Sequence, residues 1–371
     1  MKRAIYAGTF DPFTYGHQHI IEKALTVFDE VIVAVAHNPG KRTLFDVEER
    51  RTQVVDSLKS FPNIRVVVID NEYVADYAAE NNIAFLVRRL RDGGDMEFER
   101  KLYCGNRLVQ SGVESVFLMC DHEMQLISSS AIQQWVGPRG WVKHVRNMVP
   151  PPVLRALITK SMEKRWMAWT EKLGISSNLA AERFVDLRAQ YEGRPFHNLL
   201  HVLRMLEAVE SGLYPVEDSA SVTLAVWYHD YIVESDDKGM KSDRSAEVRS
   251  AERVASDPVW KSMTPRVADL IKATQHTAEA QLRTSDEKII VGVDLLTLAL
   301  DEPLYQEYVE CLRQEYGWAS EADFNKGRAA FLRQMLAKPR LFPGMSCFQR
   351  DELKARDNMQ SELDRRESKG R

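Results

Sequence analysis

The chain has 371 residues, 44% of them hydrophobic, and its 50 basic and 54 acidic side chains leave a formal net charge of −4. That length exceeds what one core ordinarily holds, so two domains are expected. The near balance of charge gives no footprint for nucleic acid or a membrane surface. Cys104, Cys120, Cys311 and Cys347 stand far apart with no Cys-x-x-Cys pair, which argues against a thiolate zinc site and for reduced thiols. Met1-Lys2-Arg3 leads straight into an apolar strand, and no apolar run approaches the roughly 18 residues of a membrane span. A soluble, cytoplasmic protein is expected.

Apolar runs at 4–7, 31–36, 64–69, 83–87 and 115–119 alternate with helical periodicity near 17–28, 47–60, 73–81 and 95–110. The alternation predicts an α/β domain with a Rossmann-like parallel sheet covered on both faces. All strand C-terminal ends then fall on one edge, where ligands bind. Pro150-Pro151-Pro152 interrupts the pattern. Beyond it strand signals fade, and periodic Leu, Ala, Glu and Arg predict an all-α domain. The boundary is placed at residue 160, giving domains 1–160 and 161–371, and the charged tail after Asp351 is expected to fray at its end.

Gly8-Thr9-Phe10-Asp11-Pro12-Phe13-Thr14-Tyr15-Gly16-His17 joins the first strand to the first helix. A small-residue turn there offers backbone N–H groups and a helix start to a phosphate, with His17 facing the same anion. Lys41 and Arg42 follow the second strand, Arg88, Arg89 and Arg91 the fourth, and Ile127-Ser128-Ser129-Ser130 the fifth. Hydroxyls and free N–H groups at a helix start are donors to a triphosphate.

These motifs, with Glu48-Glu49-Arg50, Asp95-Met96-Glu97-Phe98-Glu99, Asn106-Arg107 and Ser115–Met119, resemble phosphopantetheine adenylyltransferase over residues 2–158. The resemblance implies transfer of the adenylyl group of ATP to 4′-phosphopantetheine, with no covalent enzyme intermediate and with Mg²⁺ on the ATP phosphates. It implies that Thr9 and Lys41 hold the attacking phosphate and that His17 contacts the α-phosphoryl group. Phe10, Arg91, Glu99, Ser128, Ser129 and Ser130 would surround ATP, while Arg88 and Asn106 border the acceptor. The family usually has glycine at Arg89, apolar residues at Tyr73 and Val74, glutamate at Gln134 and often an aromatic at Met124. Arg89 and Tyr73 motivate another phosphorylated acceptor, such as a nicotinamide mononucleotide-like compound, as the alternative. The family also implies a homo-oligomer.

Downstream, His197 and His201 lie four apart, which places them on one helix face. His229-Asp230 ends an apolar helix, His276 ends a third, and Gly292-Val293-Asp294-Leu295 is read as opening a fourth. Imidazoles with carboxylates are the ligand set of a divalent-metal site. The pattern His…His-Asp…Asp, with Ser245-Ala246-Glu247, Tyr305-x-x-Tyr308, Arg313-Gln314-Glu315-Tyr316 and Ala355-Arg356-x-Asn358, resembles the HD superfamily of metal-dependent phosphohydrolases. That resemblance makes His201, His229, Asp230 and Asp294 ligands of Zn, Mn, Fe, Ni or Mg, and His197 a general acid or an anion contact. The substrate would be a nucleotide-like phosphoester. The joint reading is a bifunctional adenylyltransferase and phosphohydrolase, the competing one a catalytic domain joined to a non-catalytic nucleotide sensor or scaffold.

Overall fold

Five short apolar runs pair into one sheet: β1 (Arg3–Gly8), β2 (Glu30–Ala36), β3 (Ile64–Ile69), β4 (Phe85–Leu90) and β5 (Glu114–Met119), all parallel, in the order β3-β2-β1-β4-β5. The computed structural model describes residues 1–371 apart from 38–39, 41, 71, 92, 110–111, 235–237, 239–242, 277–281, 344–348 and 370–371, and apart from the side chains of 98, 106–109 and 369. β1 is central, in register with β2 from Arg3↔Glu30 to Gly8↔Val35 and with β4 from Ala4↔Phe85 to Tyr6↔Val87. Ile5, Ile32, Ala34 and Leu86 are buried, as expected of a parallel sheet with helices on its faces. The fourth strand sits later than its apolar run suggests, so Arg88 and Arg89 lie within it rather than after it.

The chain steps outward from β1 through β2 to β3, then returns to the other side of β1. The crevice at the C-terminal ends of β1 and β4 is therefore the topological switch point. α1 (Tyr15–Leu25), α2 (Val47–Leu58), α3 (Val74–Glu80) and α4 (Gly93–Val109) connect the strands, and α5 (Ser129–Trp135) and α6 (Val142–Val145) follow them. Asp46 starts α2 with a reciprocal cap to Glu49, a sequence signal that propensity alone does not give.

The chain divides into compact units Met1–Ser161 and Met162–Arg371, and the division falls inside one continuous helix, α7 (Pro151–Lys172). Proline is tolerated in its first turn, where no intrahelical N–H bond is lost. The second unit continues as α8 (Ser177–Tyr191), α9 (Leu199–Val209), α10 (Ser219–Tyr228), α11 (Ala246–Ala255), α12 (Thr264–Ala273), α13 (Ser285–Asp294), α14 (Glu302–Glu315), α15 (Glu321–Ala337) and α16 (Gln349–Lys369). Asp294 thus closes a helix instead of opening one, and most of the charged tail is helical.

α10 is apolar on every side, and its residues Ser221–Tyr228 are all buried. Trp227 packs edge-on against Trp166 at 5.1 Å, and Trp260 meets Trp166 at 5.7 Å. The Trp166 N–H donates to the Ala180 carbonyl at 2.8 Å, so this core carries no penalty from that buried donor. A buried ion pair closes the other end: Arg328 donates to Glu362 at 2.9 and 3.0 Å, with the Tyr305 hydroxyl donating to the same carboxylate. Removing one partner strands the other charge in the interior. Glu362→Ala is expected to cost about 3–5 kcal/mol and to lower the melting temperature of the second unit by roughly 10 °C, measured by calorimetry on the full chain. An unchanged transition would contradict the pairing.

Candidate active sites

The first site lies at the crevice between β1 and β4. The Thr14 hydroxyl caps α1 by accepting from the His17 N–H, and the His17 ring closes the box, Nδ1 accepting from the Thr14 N–H at 3.0 Å. A backbone N–H only donates, so Nδ1 carries no proton and the ring is the Nε2–H tautomer. Burial, reinforced by the positive charges of Arg89 and Arg91, pulls the His17 pKa down to about 3. The ring is a neutral donor, edge-on to Phe10 at 5.1 Å and tilted against Phe13 at 5.6 Å.

Two glycines make the turn fit. A Cβ on Gly16 would lie 2.6 Å from the Ile127 carbonyl oxygen and 2.9 Å from Arg89 Nη1, and one on Gly8 would meet the Phe10 ring at 2.8 Å. Phe10 holds a left-handed φ of 50° with its ring buried inside the turn, so its backbone rather than its ring is what it offers a ligand. Asp11 is buried and accepts from the Leu44 and Phe45 N–H groups at 2.8 and 3.0 Å, while Gln133 donates to its carbonyl and carboxylate. Arg50, also buried, donates to the carbonyls of Thr9, Ala36 and Phe45. These bonds lock the loops after β1 and β2 and helix α5 to one another.

The arginines are held in fixed orientations. Arg88 forms a two-point pair with Glu99 at 2.6 and 3.0 Å, and Arg91 one with Asp95 at 2.7 and 2.9 Å. Arg89 donates to the carbonyls of Met124 at 2.8 Å and Ile127 at 3.2 Å, so it braces the segment that leads into the serines. Ser128 caps α5, the Ser129 hydroxyl donates to the Pro12 carbonyl at 2.9 Å, and Ser130 is exposed.

The second site is built from helix ends. Asn198 caps α9 by accepting from the Leu200 N–H, and its amide donates back to the Arg194 and Pro195 carbonyls. His197 therefore precedes the helix, and the cap turn, not a shared helix face, brings its ring within 6.2 Å of the His201 ring. Arg194 donates to the carbonyls of Asp230 and Tyr231, fixing the chain as it leaves α10. Four ligand atoms converge there. His201 Nε2 lies 3.3 Å from His229 Nε2, 3.0 Å from Asp294 Oδ1 and 3.6 Å from Asp230 Oδ2. His229 Nε2 lies 2.9 Å from Asp230 Oδ2 and 3.7 Å from Asp294 Oδ1.

The Val226 carbonyl faces His229 Nδ1 at 2.9 Å. A carbonyl only accepts, so Nδ1 carries a proton and Nε2 faces the cluster, where it either takes a second proton or gives its lone pair to an ion. Asp230 Oδ2 is buried there without a hydrogen-bond partner of good geometry. Ligand atoms about 2.1 Å from a common ion sit about 3.0–3.4 Å from one another, so His201, His229 and Asp230, with ligand atoms 2.9–3.6 Å apart, fit a bound divalent cation, and Asp294 Oδ1 stands beside them 3.0 Å from His201. Burial would lower the His229 pKa, but the Asp230 and Asp294 carboxylates overcome it and hold the ring up to about 9. The cluster thus draws in positive charge.

Around it, His276 Nε2 donates to Asp294 Oδ2 at 2.8 Å, and its own carbonyl is held by Gln334 and Lys338. Glu315, the last residue of α14, accepts from the Phe196 and His197 N–H groups at 2.9 Å and pairs with His197 Nδ1. Burial would raise Glu315, but the His197 proton overcomes it and holds the carboxyl down to about 2, leaving it an anion.

Residues 5–135 match the cytidylyltransferase-like family model. The phosphopantetheine adenylyltransferase of Neisseria meningitidis serogroup C is 38% identical over 159 residues, which are 43% of this chain and 94% of that protein. The chain belongs to the phosphopantetheine adenylyltransferase family. The phosphopantetheine adenylyltransferase of Chromobacterium violaceum is 37% identical over 164 residues, 44% of this chain and all of that protein, and that of Thermotoga neapolitana 39% identical over 160 residues, 43% and 97%. A solved NadR protein in complex with NAD and AMP-PNP covers 86% of this chain and 97% of its own at 12% identity and a TM-score of 0.35, too slight a likeness to bear on function. The first unit is a nucleotidyltransferase domain.

Among the residues that sequence reasoning assigned to the adenylyltransferase site, Thr9, Phe10, His17 and Ser128–Ser130 stand in the segments that follow β1 and β5, and Arg88, Arg91 and Glu99 at the end of β4 and on α4. Arg88 and Glu99, given to different substrates, are paired with each other. Lys41 lies outside the described residues, as does the side chain of Asn106. Asp11, Arg50, Arg194 and Glu315 hold the sites together but were given no role, although Asp11, Arg50 and Glu315 stood in motifs already singled out. Gln133 carried no signal. Nitrogen NMR of the full chain should show His17 as a neutral Nε2–H ring at about pH 5, and an imidazolium there would contradict the cap. Because its folded pKa lies below the ordinary 6.5, the unfolded chain takes up the proton first, so its contribution to stability is lost as pH falls from 6.5 towards 3.

Proposed function

We propose that the chain is a bifunctional enzyme: its first unit transfers the adenylyl group of ATP to 4′-phosphopantetheine, and its second unit hydrolyses a nucleotide-like phosphoester. Family membership and the fixed donors at the switch point support the first activity. The acceptor phosphate attacks the α-phosphorus of ATP, the bond to the bridging oxygen breaks, and pyrophosphate leaves; Mg²⁺ on the ATP phosphates would offset the charge that develops on it. His17 has Nδ1 occupied and Nε2 protonated, so it is a hydrogen-bond donor to the α-phosphoryl oxygens and not a base. Thr9 and Lys41 would hold the incoming phosphate, and Arg91 and Ser128–Ser130 the triphosphate. Catalysis then consists of positioning and charge stabilisation. Incubation of the full chain with ATP, Mg²⁺ and phosphopantetheine should release pyrophosphate; no release would remove this acceptor.

The convergence of His201, His229, Asp230 and Asp294 carries the second activity. A divalent ion held there would polarise a phosphoryl oxygen and activate water. Glu315 fixes Nδ1–H of His197, which leaves Nε2 to donate a proton to the leaving oxygen. Burial opposes the charged ring, but Asp230 and Glu315 outweigh it and raise the His197 pKa, keeping the acid form available. Replacing His229 and Asp230 with alanine should abolish bound Mn²⁺ in metal analysis and phosphoester hydrolysis, with pyrophosphate release kept. A variant that keeps both metal and hydrolysis would contradict the assignment. Glu315→Gln removes the charge that supports His197, so the alkaline limb of the hydrolysis profile should move to lower pH and kcat should fall about 10²-fold. An unmoved limb would exclude His197 as the acid.

A further inference from the structure

We propose that the second unit is selective for phosphomonoesters of a planar, hydroxyl- or amino-bearing group and rejects di- and triphosphates; this rests on the phosphohydrolase reading above. A cavity of about 620 Å³ extends from Asp230, Asp294, His197 and His276. That volume suits one small organic ligand. Phe196 lies beside the cluster, its ring 5.2 Å from that of His201, and the walls also carry the rings of Tyr308, Tyr316, Trp318 and Phe331, surfaces that stack on a planar group.

Beyond the histidines of the cluster, the charged side chains among the described lining residues are acidic with one exception. Glu234, Glu247 and Asp323 line the cavity, and Arg328 is the exception. Arg328 is not available to a ligand phosphate. Its Nε and Nη2 donate to Glu362 at 3.0 and 2.9 Å and its Nη1 to the Tyr308 hydroxyl at 2.9 Å, while the Tyr308 and Phe331 rings flank it at 5.1 Å. It is a neutralised part of the wall.

One phosphate has partners at the cluster, where His197 and His276 stand. A second or third phosphate would extend along carboxylates with no Lys or Arg among the described lining residues free to meet it, and like charges in a partly desolvated cavity repel strongly. Sites for polyphosphates place arginines, lysines or backbone N–H groups along the chain of phosphates. The carboxylates of Glu234, Glu247 and Asp323 instead accept from hydroxyl or amino groups, as a sugar or a base carries.

The test uses the full chain with Mn²⁺ and the probes UMP, UDP and UTP, reading phosphate release and the fluorescence of Trp318, with Trp318→Phe assigning the optical signal to this cavity. Hydrolysis of UMP with a kcat/KM at least about 100-fold above that of UDP and UTP supports the proposal, and comparable hydrolysis of UTP overturns it. If none is hydrolysed, the phosphohydrolase reading fails and binding decides. Quenching by UMP well below the concentration needed for UTP supports the selectivity, whereas equal quenching, or none by UMP, overturns it. Glu234→Lys, an exposed change at the rim, should narrow the UMP to UTP ratio about tenfold; an unchanged ratio would show that the carboxylates do not set it.

Discussion

The Nε2 lone pair of His229 faces Asp230 Oδ2 at 2.9 Å and His201 Nε2 at 3.3 Å, with Asp294 Oδ1 closing the group. Acceptors buried this close repel unless positive charge is shared among them. A proton or a metal ion meets that need, and the geometry of the second unit is arranged around it. Arg194 grips the carbonyls beyond α10, Asn198 shapes the turn before α9, and Gln334 and Lys338 hold the carbonyl of His276. Each of these bonds keeps groups of like polarity together that would otherwise separate.

The first unit poses the opposite problem with the same residue type. A backbone N–H at Thr14 forces the proton of His17 onto Nε2, whereas a backbone carbonyl at Val226 forces the proton of His229 onto Nδ1. One histidine therefore presents a donor and the other an acceptor. Around His17 stand arginines, serines and a helix start; around His229 stand carboxylates and a second imidazole. A site of donors suits phosphates and a site of acceptors suits a cation, so the two proposed activities call for sites of opposite polarity.

Much of this was legible in the chain. The alternation of apolar runs announced the parallel sheet because burial on both faces demands continuous hydrophobic strands. Gly8 and Gly16 marked the turn between β1 and α1, and the structure shows why glycine stands there: a Cβ at either position collides with the Phe10 ring or the Ile127 carbonyl. Helix ends were less legible. His197 looked helical from its spacing to His201, yet the Asn198 side chain competes for the backbone and starts the helix at Leu199, two residues later. Asp294 looked like a helix start because the apolar periodicity resumes after it, although α13 is set by the cap at Thr284 and Glu287 upstream.

The sequence by itself determined the order of elements, the two-part organisation and the residue types that carry charge and imidazole, because periodicity and turn chemistry are local properties. Tertiary structure alone decided which charges cancel. It paired Arg88 with Glu99, turned Arg89 onto the carbonyls of Met124 and Ile127, locked Arg328 to Glu362 across 34 residues of sequence and set Glu315 against His197 from 118 residues away. Electrostatic partners are chosen by distance in space, and a linear pattern holds no record of distance between segments that meet only after folding.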